Sequence, residues 1–207
     1  MKKVSVIAPL VVLSCFGASA ALAAGSAEKG ESKATACIAC HGAQGNSANP
    51  EWPVLAGQHE QYVHKQLQAF KSGARKNPLM SPMAMSLSDE DMADLGAYFQ
   101  VQKPAGKETE AAKLQIGQRV YRSGDPKTGA PACASCHGPT GVGNPPALYP
   151  SLRGQYATYV AAQLRAYRAG TRQTDLNQVM RNVASSMSDE QIDAVASYVQ
   201  GLREVRN

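Results

Sequence analysis

Cys37-Ile38-Ala39-Cys40-His41 stands in the first half of the chain, and Cys133-Ala134-Ser135-Cys136-His137 repeats its pattern 96 residues later. Cys-x-x-Cys-His is the attachment pattern for c-type haem. The two thiols add across the vinyl groups of the macrocycle, and the two-residue gap matches the separation of those groups. The histidine that follows falls beneath the iron and offers it an imidazole nitrogen. Cys37, Cys40, Cys133 and Cys136 are therefore predicted to hold two covalently bound haem c groups, with His41 and His137 as axial iron ligands.

Other uses of paired cysteines fit less well. A structural zinc site joins Cys-x-x-Cys units over much shorter separations than this one. A thioredoxin-type redox pair needs a βαβ pattern around it, and no strand-like alternation lies nearby. Plain disulfides suit an oxidising compartment, but they do not account for two identically placed histidines.

Working outward, residues 1–23 read as a secretory signal peptide. Lys2 and Lys3 form a basic start, Val4 to Phe16 an apolar run, and Ala21-Leu22-Ala23 an A-x-A cleavage site. The apolar run is too short for a membrane span. Cys15, the fifth cysteine, falls inside this leader. Val12-Leu13-Ser14-Cys15 weakly resembles a lipoprotein processing site, but the alanine site downstream is the better one. The other four cysteines are all used by the two motifs, so none remains for a disulfide. The formal charge is +5, or +3 without Lys2 and Lys3. Beyond the leader its positive residues form no run longer than Arg75-Lys76, which leaves no footprint for nucleic acid.

The rest of the chain is one unit written twice, predicted as an all-α fold of two domains over 24–100 and 111–207, joined by a linker at 101–110. Ala27 to Ala36 reads as a short helix leading into the first motif, and Ala111 to Arg122 plays that part in the second half. The second half adds a turn-rich loop, 122–132, before Cys133. After each motif a Gly/Asn/Pro-rich loop ends in Pro53-Val54-Leu55-Ala56-Gly57-Gln58 or Pro150-Ser151-Leu152-Arg153-Gly154-Gln155.

At an offset of 97, Tyr62/Tyr159, Val63/Val160, Gln66/Gln163, Leu67/Leu164 and Phe70/Tyr167 continue the match into a helix. Its aromatic residues are expected in the core, and Gly73 as its stop. Ser88-Asp89-Glu90-Asp91 and Ser188-Asp189-Glu190-Gln191 are capping boxes opening the last helix of each half, at an offset of 100. Narrow apolar faces in domains this small bury little core unaided, and an attached haem supplies the missing apolar volume.

The second axial position decides the chemistry. A methionine thioether fills it and raises the potential, which suits electron transfer, whereas an open or displaceable position suits catalysis. His59 aligns with Tyr156 and His64 with Ala161, so neither has a counterpart, and both are expected on the helix surface. At the offset of 100, Met80 aligns with Met180. Met83 faces Val183, Met85 faces Ser185, and Met187 faces Leu87. Met80 and Met180 are therefore the predicted sixth ligands, in segments without a strong helix signal. Met83 and Met85 are rival sulfurs close to Met80, and the expected role of the remaining methionines is packing.

With these features together, the chain resembles the di-haem cytochrome c4 family, two fused class I cytochrome c domains. The two haem motifs, the Pro-x-Leu-x-Gly-Gln segments and Met180-Arg181-Asn182-Val183 carry the resemblance over the whole chain after the leader. It implies that Pro53 and Pro150 present backbone carbonyls to the second nitrogen of His41 and His137. It implies domains packed about a pseudo-twofold axis, with haem propionates near their interface. It also implies a periplasmic single-electron carrier with no catalytic residues, working between a quinol-oxidising complex and a haem–copper terminal oxidase. Peripheral association with the membrane is compatible with that role. The rival reading is a di-haem redox enzyme, a peroxidase or sulfur-compound dehydrogenase, or its electron-transfer subunit. An enzyme needs one displaceable ligand, and the paired methionines speak against it.

Overall fold

The computed structural model describes residues 24–203. The signal-peptide reading and Cys15 lie outside the described residues. The first half runs α1 (Ala27–Lys33), α2 (Thr35–His41), α3 (Glu60–Lys71), α4 (Met80–Met85) and α5 (Asp89–Gln100). The second runs α6 (Leu114–Ser123), α7 (Ala134–His137), α8 (Ala157–Arg168), α9 (Val179–Ser185) and α10 (Asp189–Gly201). Among the described residues extended pairing is confined to isolated bridges, Asp125 with Ala130 and Asn144 with Tyr149. The fold is all-α.

Local chemistry sets the ends of these helices. The Ser26 hydroxyl accepts from Lys29 N–H and opens α1. Both capping boxes form: Ser88 and Asp91 cap each other's backbone, and so do Ser188 and Gln191. Each satisfies two donors that a helix start otherwise leaves unpaired. Gly73 follows the end of α3 in the left-handed region, as expected of a stop.

In each half the first helix crosses the last at very close range. A Cβ added at Gly30 would lie 2.0 Å from the carbonyl oxygen of Asp94, and one added at Gly117 would lie 2.3 Å from that of Ala194. Side-chain-free positions let α1 sit on α5, and α6 on α10, backbone against backbone. The second-half core gathers Val120, Tyr121, Ile192, Val195 and Val199, all essentially inaccessible, with Met187 beside them. The first-half core is smaller and gathers Ala34, Leu95 and Phe99.

The halves share this packing but not their charges. Lys33 Nζ lies 2.7 Å from both Asp91 and Asp94, tying α1 to α5. In the second half Arg165 and Arg168 reach Asp189 and Asp193 and tie α8 to α10.

Two expectations need correction, and the segment 101–110 shows a further feature. The helix expected over Ala27–Ala36 is broken at Ala34, whose N–H closes α1 while its carbonyl begins α2. The segments holding Met80 and Met180 are short helices, α4 and α9. Both are under two turns long, too short for apolar periodicity to register in sequence. Residues 101–110 form no helix, yet they are held along their length. Asn46 bonds Lys103 and Ala105, Gln200 bonds Lys107 and Glu108, and Ser197 accepts from Glu110 N–H.

Candidate haem-binding sites

Each Cys-x-x-Cys-His segment is a single helical turn. Residues three and four apart share one helix face, so α2 places Cys37, Cys40 and His41 on one side, and α7 with Cys133 before it does the same. Gly42 and Gly138 end these turns at φ of 75° and 76°, turning the chain away directly after the histidine. The Tyr121 hydroxyl donates to the Gly138 carbonyl at 2.7 Å and fastens the second turn to α6.

His41 and His137 are both 6% exposed. Burial pulls each imidazole below its ordinary pKa, and the nearby proline carbonyl opposes this only in part. His41 Nδ1 donates to the Pro53 carbonyl, and His137 Nδ1 to the Pro150 carbonyl, each at 3.0 Å. The proton is thereby held on Nδ1, and the lone pair is left on Nε2. Burial also raises the thiol of Cys37, and pushes that of Cys133 up to about 11. None of the thiols of Cys37, Cys40, Cys133 and Cys136 is in a disulfide.

The methionines divide by position. Met180 is half-buried and packs against the second-half core alongside Cys133 and Ala134. Met80 opens α4, half-buried, with its N–H held by Asn77 Oδ1 at 2.9 Å. Met83 and Met85 are 45% and 61% exposed, and Met187 is buried in the core. The approach to the two aligned methionines differs. Asn177 and Gln178 are successive left-handed residues, at φ of 53° and 60°. The residue aligned with Gln178 is Pro78, whose ring holds φ near −65° and forbids that path.

His59 and His64 are not surface residues as expected. His64 is 7% exposed and donates from Nε2 to Asp89 at 3.0 Å. His59 precedes α3, half-buried, and its Nε2 donates across to the Val142 carbonyl of the other half at 2.6 Å. Pattern reasoning placed them by their lack of a counterpart, but each answers to a contact outside its own helix.

Part of the expected aromatic core is interface instead. Val63 and Phe70 are buried, but the hydroxyls of Tyr62 and Tyr159 point into a cluster between the halves. Arg75 donates to Gln66, Tyr159 and Gln163, and Arg172 donates to Gln163, Tyr62 and Gln66. The cluster is its own image under exchange of the halves. Burial alone would raise the Tyr159 phenol, and the neighbouring Arg75 and Arg172 outweigh it and hold it below its usual range. Sequence reasoning passed over Arg75 and Arg172, although they stand at the same offset of 97 as their partners. Gln58 and Gln155 close the Pro-x-Leu-x-Gly-Gln segments, a motif that by itself assigns them no contact. Both are buried and bonded across the same boundary.

These residues fit a covalently attached haem. Unpaired thiols and a neutral imidazole with its proton on Nδ1 share one turn in each half. Arg172 Nε and Thr174 Oγ1 are buried polar atoms without a partner among the described residues.

Comparison with known proteins agrees. The cytochrome c family profile matches twice, over residues 27–102 and 114–203. Cytochrome c4 of Azotobacter vinelandii is 46% identical over 190 residues, covering 87% of this chain and 90% of that protein. A thiosulfate dehydrogenase electron acceptor of Stutzerimonas stutzeri is 43% identical over 170 residues, covering 80% of this chain and 78% of that protein. The crystal structure of reduced recombinant cytochrome c4 from Pseudomonas stutzeri superposes with a TM-score of 0.84 at 44% identity, covering 87% of this chain and 100% of that one. Two cytochrome c domains, each with its Cys-x-x-Cys-His turn, carry two covalently bound haem c groups. Proteins of this kind carry electrons and are not enzymes. The chain belongs to the cytochrome c family, as a member of its di-haem c4 branch.

Proposed function

We propose that this chain, exported to the periplasm after loss of residues 1–23, passes single electrons from a quinol-oxidising membrane complex to a haem–copper terminal oxidase. Cys37 and Cys40 attach one haem, and Cys133 and Cys136 the other. His41 with Met80, and His137 with Met180, would hold the iron in domains 24–100 and 111–207. When bound, each haem iron supplies a one-electron couple. The chain's residues orient it, keep water from it and hold one proton on each histidine Nδ1.

The observation that carries this reading is the sameness of the two half-sites. Each has a buried neutral imidazole bonded at 3.0 Å to a proline carbonyl, and each has an aligned methionine on its own short helix. Two sites of one design, each with a methionine available as sixth ligand, suit relay without bond chemistry. The test mixes the reduced, haem-loaded protein with oxidase-containing membranes. Rapid oxidation that stops when the oxidase is inhibited is expected, and slow oxidation indifferent to the inhibitor would overturn the assignment.

A second donor is favoured by one finding. A relative 43% identical is a thiosulfate dehydrogenase electron acceptor, so a sulfur-compound dehydrogenase is proposed as an alternative source of electrons to the same haems. Rapid reduction of the oxidised protein by thiosulfate, only when such a dehydrogenase is present, would support it.

A further inference from the structure

The geometry points to Gln155 and Gln58 as positioning residues that tune each haem's proximal histidine from the opposite half of the molecule. Pro53 C=O and Val54 N–H belong to one peptide group. The oxygen of that group accepts from His41 Nδ1 at 3.0 Å, and its N–H donates to Gln155 Oε1 at 2.9 Å. The other half repeats this with the roles exchanged. Pro150 C=O accepts from His137 Nδ1 at 3.0 Å, and Ser151 N–H, of the same peptide group, donates to Gln58 Oε1 at 2.9 Å.

Each glutamine grips its target twice. Gln155 Nε2 donates to the Val54 carbonyl at 2.8 Å, and Gln58 Nε2 to the Ser151 carbonyl at 2.9 Å. The reversed amide would set NH2 against N–H and oxygen against oxygen, so only one orientation satisfies the pair. Both residues are 8% exposed, and each Oε1 also accepts the backbone N–H of the next residue, His59 or Tyr156. Neither amide is free to turn.

The physical effect follows from hydrogen-bond cooperativity. A donor bond made by a peptide N–H polarises that peptide's carbonyl and makes its oxygen a stronger acceptor. A stronger acceptor draws the Nδ1 proton further from the imidazole ring, which makes the opposite nitrogen a better electron donor to a metal. More donation favours the ferric state. Gln155 therefore holds the first haem's potential down, and Gln58 the second's. Each haem is tuned by a residue on the other domain, so parting the domains raises both potentials together.

This rests on His41 and His137 being the ligands. That is read first, on the unaltered protein, from the ferric spectrum of each haem. The inference itself is tested by redox titration of the haem-loaded variants Q155L, Q58L, Q155E and Q58E, with each haem followed by its own hyperfine-shifted NMR signals. Gln155→Leu should raise the first haem's reduction constant about threefold, which is ~30 mV at 59 mV per tenfold, and leave the second near its starting value. Gln58→Leu should do the reverse. Gln→Glu keeps the shape and the acceptor oxygen facing the peptide N–H while giving up the donor to the Val54 or Ser151 carbonyl, and if the leucine variants fail to fold it carries the test alone. Its carboxylate is a stronger acceptor and should lower the same crossed haem's potential as it ionises. A shift in the glutamine's own domain, equal shifts in both haems, or leucine and glutamate moving the potential in one direction would overturn the proposal. So would unchanged potentials throughout.

Discussion

A methyl group on Gly117 would sit 2.3 Å from the carbonyl oxygen of Ala194 and 2.8 Å from Cβ of Tyr198. The first and last helices of the second half therefore meet with no room for a side chain. Gly117→Ala should force them apart and cost about 1–3 kcal/mol, the usual range for overpacking. Gly30→Ala should do the same in the first half, where the added carbon would lie 2.0 Å from the Asp94 carbonyl. Denaturant unfolding of each haem-loaded variant checks this, and an unchanged midpoint would show that the crossing is not tight.

The ligand assignment is tested by a methionine series. Met80→Leu and Met180→Leu should each abolish about half of the weak red charge-transfer band of ferric Met-ligated haem and lower that haem's potential, because the thioether favours the reduced state. Met83→Leu and Met85→Leu should leave the band intact, in keeping with their exposure of 45% and 61%. Met187→Leu, inside the second-half core, should cost under ~1.5 kcal/mol of stability and no band. Loss of half the band in Met83→Leu or Met85→Leu, with Met80→Leu unaffected, would transfer the first-half ligand to that residue.

Covalent attachment can be counted. The unaltered protein should carry two haems per chain, and Cys40→Ala should lose or loosen the first while the second stays bound. Haem-to-protein ratio and mass spectrometry of the denatured chain read this directly. A ratio of one in the unaltered protein would contradict attachment at both turns.

The Lys33 link predicts a pH dependence with a definite sign. The Lys33 ammonium, and then the Ser26 N–H, hold the Asp94 carboxyl below its usual range, although its poor solvation works the other way. A carboxyl depressed on folding contributes stability above its unfolded pKa of about 3.9, and loses it as pH falls through the native value. The stability advantage of the natural protein over Asp94→Asn should thus be full at neutral pH and shrink below about pH 4. An advantage that grows on acidification would refute the pairing.

Much of this molecule can be read from local pattern. Two Cys-x-x-Cys-His turns, two capping boxes and the offsets of 97 and 100 suffice for two haem turns, the helix starts and an all-α fold. These features depend on covalent chemistry and on hydrogen bonds between near neighbours, which leave their spacing in the sequence. What only tertiary structure decided lies between the halves. His59 reaches the Val142 carbonyl, Arg75 reaches Tyr159, and Gln155 grips Val54, at separations of 83, 84 and 101 residues. No periodicity records such contacts, because a buried polar group needs a partner but not one at a set distance along the chain. The repeat itself conceals them. It aligns Gln58 with Gln155 as equivalent residues, whereas the folded protein sets each against the backbone of the other's domain.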